Sequence, residues 1–171
     1  KLCFNESGAA APPPADTQAI IPPKKSDCDA LPSRVARLAP DMMHFAEDPK
    51  PVIILDKEGK PLKADDPHRF FEASWCHKYK GKYYFSYSTG DTHMICYAIG
   101  DNPYGPFTYQ GVILTPVKSG WTTHHSIVEF KGKWYLFHHD SAPSGGVNSL
   151  RSLKVAELHY NEDGTIQTIE G

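Results

Sequence analysis

FFEASWCHKYKGKYYFSYS, residues 70–88, and THHSIVEFKGKWYLFHHDS, residues 123–141, are one phrase written twice in the same frame. Lys80-Gly81-Lys82 before Tyr83-Tyr84 returns as Lys131-Gly132-Lys133 before Trp134-Tyr135, a repeat of 51 residues. Each Lys-Gly-Lys separates two runs rich in aromatic and β-branched residues, and its glycine supplies the positive φ of a tight hairpin turn. Two further extended runs follow each hairpin. In the first copy they are 93–99 and 107–114, parted by GDNPYGP; in the second they are 150–160 and 165–169, parted by NEDG. A four-strand antiparallel meander at this period is the unit of a β-propeller blade. The spacing therefore predicts an all-β chain holding about two such blades.

Working outward, the preceding segment Pro51-Val52-Ile53-Ile54-Leu55 resembles Gly111-Val112-Ile113-Leu114, and reads as the last strand of an earlier blade. Upstream, 33–38 and 41–47 are short apolar-periodic pieces with cap residues, each expected to form one or two helical turns. Eleven of the fifteen prolines lie before Phe70, and residues 1–32 read as a proline-rich flexible linker. Residues 33–171 then form the propeller part. Two blades and a stray strand cannot close a ring without exposing apolar faces and unpaired backbone. The expectation is that a second chain or a separate N-terminal half completes it.

The 171 residues carry a formal charge of −2, which favours neither nucleic acid nor an anionic membrane as partner. No apolar run approaches the roughly 20 residues that a spanning helix requires. Of the four cysteines, Cys76 and Cys96 fall inside expected strands, while Cys3 and Cys28 flank the linker and could pair in an oxidising compartment. Asn5-Glu6-Ser7 matches a glycosylation sequon; none of this fixes a localisation.

Chemistry follows from the repeat. First strands line a propeller's channel, and matching the two Lys-Gly-Lys turns sets Ala73 opposite His124. Glu72 is thereby placed at the channel mouth, with Phe70, Phe71 and Trp75 as apolar neighbours that favour a protonated carboxyl. His124 and His125 point to opposite faces of a strand, so one at most enters the channel. His138 and His139 form a second pair. No zinc-binding spacing, nucleophile elbow, P-loop or dinucleotide fingerprint occurs. Trp75, Tyr83, Tyr84, Trp121 and Trp134 interleave with polar residues, a mixture suited to sugar rings, although Tyr84 and Trp134 read better as packing between blades.

FFEASWCHKYKGKYYFSYSTGDTH, DNPYGPFTYQGVIL, GWTTHHSIVEFKGKWYLF and LRSLKVAELHYNEDGTI together resemble the second half of glycoside hydrolase family 43, in its β-xylosidase and α-L-arabinofuranosidase group. The resemblance implies a partial five-bladed β-propeller and an inverting, exo-acting enzyme. It makes Glu72 the general acid and His124 the residue facing a central divalent cation, typically calcium with a water-rich shell. It also implies Arg151 near the sugar, where the aromatic pattern already sets Trp75, and a xylo-oligosaccharide or arabinose-substituted substrate. The family's general-base Asp and its second Asp have no counterpart among Asp65, Asp66, Asp91 and Asp140. The base would come from the missing N-terminal half; without it, the chain would be a non-catalytic carbohydrate-binding fragment.

Overall fold

The structure, a computed structural model, describes residues 27–122 and 124–171. Most of the expected linker, and with it Cys3 and the sequon, lies outside the described residues. Among the described residues ten strands follow in order: β1 (Ser33–Val35), β2 (Lys50–Val52), β3 (Ile54–Leu55), β4 (Glu72–Tyr79), β5 (Lys82–Ser88), β6 (Ile95–Gly100), β7 (Phe107–Leu114), β8 (Ser126–Phe130), β9 (Lys133–Asp140) and β10 (Ser152–Leu158).

β4 to β7 form the expected antiparallel meander, with β3 added in parallel along β7. β8, β9 and β10 form the second unit, whose fourth run is held by isolated bridges, Tyr160 with Ile166 and Leu114 with Ile169. Both Lys-Gly turns have two central residues at positive φ: Lys80 at 44° and Gly81 at 83°, Lys131 at 52° and Gly132 at 77°. Two-residue loops of that hand match the natural twist of the strands they join. The likeness of 51–55 to 111–114 has a structural meaning as well. Ile54 runs parallel to Phe107 of the first blade, and Leu114 runs parallel to Ile169 of the second.

The upstream helical turns do not form. Ser33–Val35 pairs antiparallel with Lys50–Val52, and 41–47 is a bent loop closed by the Leu38–Phe45 bridge. Pro32 and Pro40 leave too short a window for a helix, and the Asp41 side chain accepts from the Met43 backbone at 3.0 Å, which stabilises a turn instead.

One core fills the seam between the blades, with Tyr84, Ile95, Tyr97, Ile113 and Leu114 meeting Ile127, Leu136, Leu158 and Ile166. A second lies on the other face of the first blade, around Phe85, Tyr87, Cys96 and Phe107, roofed by Val52, Ile54 and Leu62. The alternation Tyr84/Phe85/Ser86/Tyr87 feeds both faces in turn, as strand geometry requires. Polar groups stitch the seam. Trp75 Nε1 donates to the Ile127 carbonyl at 3.0 Å, Tyr84 Oη to Gly164 at 2.7 Å, and the Ile166 N–H to Tyr97 Oη at 2.9 Å. His77 Nε2 meets Tyr160 Oη at 2.6 Å, while Tyr79 stacks on Tyr160 with centroids 3.7 Å apart.

Beyond the seam, the outer face of β8–β10 leaves Val128, Phe130, Leu153 and Val155 exposed; cross-strand pairing sets them on one side with Tyr135 and Phe137.

Leu136→Ala should cost about 2–5 kcal/mol in urea unfolding, because the side chain is wholly buried where both blades meet. Burial pushes the His77 imidazole down to about 4. Between its ordinary range near 6.5 and that value, the unfolded chain binds a proton that the folded chain does not, so stability is lost as pH falls through this window. Urea midpoints measured from pH 7 to pH 4 should fall, and His77→Gln should flatten the decline.

Candidate active site

Antiparallel pairing collects one end of every strand. β4, β6, β8 and β10 begin where β5, β7 and β9 finish, so Glu72, the Ser88–Ile95 connection, residues 119–125 and residues 140–151 all lie at one end of the two blades. The Lys-Gly turns lie at the other. β4 and β8 are edge strands of their sheets and adjoin each other. The sequence reading that Glu72 and the His124–His125 pair share a mouth rests on this geometry.

Glu72 opens β4 opposite Ser88, but the next paired residue is Trp75 opposite Ser86. Ala73 and Ser74 therefore face Tyr87 alone, a bulge in which Ala73 adopts φ 60°. Bulges of this kind re-aim a side chain, and a left-handed non-glycine residue stores strain. Ser74 Oγ reaches Ser33 Oγ at 2.7 Å, which ties the bulge to β1. The half-buried Glu72 is thus set by the first blade and by the hairpin before it.

The rings expected to enclose this carboxyl go to three different places. Phe70 faces Phe85 and Tyr87 at centroid distances of 6.2 and 5.9 Å, Phe71 packs over Gly90, and Trp75 lies in the seam with its indole N–H on Ile127. The bulge and strand alternation together split them. Tyr84 and Trp134 pack in the seam, as read from the sequence.

His124 is exposed, and its backbone N–H points to His139 Nε2 at 3.4 Å. His125 turns inward instead, with Nε2 at 2.7 Å from Ser86 Oγ across the seam. Burial, reinforced by the neighbouring His124, His77 and His138 rings, pushes the His125 imidazole down to about 3 and keeps it neutral. His139 is also lowered, first by burial and then by the Arg151 guanidinium. Arg151 itself is exposed and anchors its Nε on the Asn148 carbonyl at 3.2 Å. Asp140 pairs with Lys154 at 3.2 Å, and Asp65, Asp66 and Asp91 line a cleft with Arg69 and Thr92.

Among the described residues no three histidine, cysteine or carboxylate groups converge as a metal cage. Calcium takes six to eight oxygen ligands, so these residues do not fit a protein-caged ion. What His124 can offer is one imidazole to a cation otherwise held by water.

The sequence profile of Glycosyl hydrolases family 43 matches residues 33–166. The chain belongs to glycosyl hydrolase family 43. Its two blades are part of the five-bladed β-propeller of family 43 enzymes; the repeat period anticipated the blades, and the family resemblance their number. A xylosidase/arabinosidase of Bacteroides ovatus is 72% identical over 154 residues, covering 90% of this chain and 46% of that protein. A β-xylosidase of Xylanibacter ruminicola is 73% identical over 142 residues, 83% of this chain and 44% of that one. The chain thus spans about half the length of these family 43 relatives. Among solved structures, RS223 β-xylosidase superposes with a TM-score of 0.83 at 70% identity, over 86% of this chain and 46% of that one. CoXyl43, a family 43 β-xylosidase/α-arabinofuranosidase from a compost microbial metagenome, gives 0.83 at 61% identity over 85% and 44%; it was solved with xylotriose in a calcium-free form.

Sequence reasoning read Glu72 and the histidine pair at one end of the blades but missed three features there: the Ala73 bulge, the Ser86–His125 pair, and a stack of His93 on Trp121. Nothing local marks any of them, since each depends on a partner strand or loop. Ala73→Val should lower stability by about 1–2 kcal/mol, because a β-branched side chain tolerates the left-handed region poorly, and thermal unfolding measures the difference.

Proposed function

We propose that this chain is the acid-bearing part of an inverting, exo-acting β-1,4-xylosidase, with Glu72 as general acid. The observation that carries the reading is the position of Glu72: first residue of an edge strand, next to a strained bulge, at the end where both blades gather their loops. The names of the relatives supply the substrate class, xylosides.

Inverting hydrolysis uses two carboxyl groups about 6.5–9.5 Å apart, one giving a proton to the leaving oxygen while the other takes one from water on the opposite face of the sugar. Glu72 performs the first task. The general-base Asp belongs to the remaining blades, whether supplied by a missing N-terminal half or by a separate chain. The apolar outer face of β8–β10 is a surface that further blades would cover. Arg151 directs its guanidinium to sugar hydroxyls, and His124 would present one imidazole to a hydrated divalent cation, calcium by preference. Such an ion would supply positive charge only, and no proton would pass through it. Trp75 contributes by holding the seam behind Glu72, since its indole N–H is committed to Ile127.

A second reading, α-L-arabinofuranosidase action in the same pocket, is favoured by the Bacteroides ovatus relative, named for both activities. Matched aryl xyloside and arabinofuranoside substrates separate the two. In the chain completed by the first half of the propeller, Glu72→Gln should lower kcat on xylobiose by about 10²–10⁴-fold, with a much smaller loss on 2,4-dinitrophenyl xyloside, whose leaving group needs no proton. Near-normal xylobiose turnover overturns the assignment. Sugar binding without hydrolysis by the intact completed protein would show a carbohydrate-binding module.

A further inference from the structure

We propose that Trp121, backed by His93, is a stacking shelf for a second pyranose ring of the substrate, one that is bound but not cleaved. This rests on the xylosidase reading above. Trp121 keeps 49% of its surface exposed, yet it is not a loose side chain. One face of the indole lies on the His93 ring, with centroids 4.6 Å apart and planes 12° from parallel, which leaves the opposite face for a ligand.

Both loops that meet in this stack are fixed from below. His93 sits at φ 49° with its N–H on the Gly90 carbonyl at 3.1 Å, in a loop closed by Thr89 N–H to the Met94 carbonyl at 2.9 Å and by Met94 N–H to Thr89 Oγ1 at 2.9 Å. On the other side, Gly120 at φ 75° lies so close to the next loop that a Cβ there would stand 2.6 Å from Ser141 Oγ and 2.9 Å from Asn148 Oδ1. Thr122 is fully buried, and its Oγ1 accepts the His139 N–H at 3.2 Å. A rigid aromatic surface loses little entropy when a ligand settles on it. The ring stack on His93 also sets it apart from a scattered exposed tryptophan, which needs no explanation.

The ligand chemistry follows from shape. A β-xylopyranose carries its hydroxyls around the rim and C–H groups on both flat faces, and an indole offers a broad apolar face with one polar N–H at its edge. Position says which ring is held. Glu72 opens the edge strand β4, whereas His93 belongs to the connection between β5 and β6, one to two strands further out along the same end of the blade. Trp121 precedes His124 by three residues and crosses from the second blade to that loop. A xylo-oligosaccharide with its cleaved ring beside Glu72 extends outward over this pair. His93–Trp121 is therefore placed to take the leaving-group side.

The test uses the completed enzyme and two substrates, xylotriose and β-xylopyranosyl fluoride, whose leaving group is a single atom that reaches no shelf. Trp121→Ala should lower the ratio of kcat/KM for xylotriose to that for the fluoride by about tenfold, expressed chiefly in KM, and Trp121→Phe should recover most of it. An unchanged ratio overturns the shelf, and so does an equal loss on both substrates, which marks a general collapse or contact with the cleaved ring. A second readout avoids turnover. In the Glu72→Gln background, xylotriose should change indole fluorescence, and the change should be lost on Trp121→Phe; the same signal in both proteins overturns the proposal. Failure of the acid assignment would instead show as retained xylobiose turnover in Glu72→Gln, with the xylotriose-to-fluoride contrast still reporting on Trp121.

Discussion

The contact between the two blades is the constraint on which the rest depends. β4 offers Trp75, His77 and Tyr79 on one side, and each finds a partner in the second blade: the Ile127 carbonyl, the Tyr160 hydroxyl and the Tyr160 ring. Because these contacts are directional, they fix register as well as proximity, which apolar burial alone does not do. Once β4 and β8 are locked together, Glu72 at the head of one and His124–His125 ahead of the other share a mouth. The seam also explains why His125 is neutral. Its ring crosses to Ser86 in surroundings that penalise a charge, and the same surroundings supply the hydroxyl that satisfies its Nε2.

Left-handed backbone also occurs at that end. Ala73 and His93 both hold left-handed backbone without being glycine, one beside the carboxyl and the other beneath the exposed indole. Lys80 and Lys131 do likewise at the opposite end, where a tight turn of the required hand explains them. No hairpin turn accounts for Ala73. Its bulge interrupts the strict alternation of β4, so that Glu72 is released from the pattern that commits Trp75, His77 and Tyr79 to packing. A strand can thereby build an interface along most of its length and still present a functional group at its head.

The two faces of the second blade differ for a related reason. One is consumed by the seam; the other carries Val128, Phe130, Leu153 and Val155 in the open, on a chain about half as long as its relatives. Propeller blades are packed on both sides, so an apolar outer face is what a blade looks like when its neighbour is absent from view. Family 43 membership and this exposed face are consistent with each other.

What the sequence determined by itself was everything encoded at short range. Two Lys-Gly turns, the alternation around them and the 51-residue spacing were enough to read the meanders, the bounds of β7 and the common strand end that Glu72 shares with the histidine pair, because hairpin geometry is local. The motifs of the family were legible for the same reason. Short range also misled: 33–38 carries a helical rhythm, but pairing with Lys50–Val52 outweighs so brief a propensity. Only the tertiary structure decided which rings pack and which stay open, that Phe70, Phe71 and Trp75 part company around Glu72, that His125 rather than His124 turns inward, and that Trp121 meets His93. Each of these depends on groups brought together from distant parts of the chain by the seam, and no local pattern carries that information.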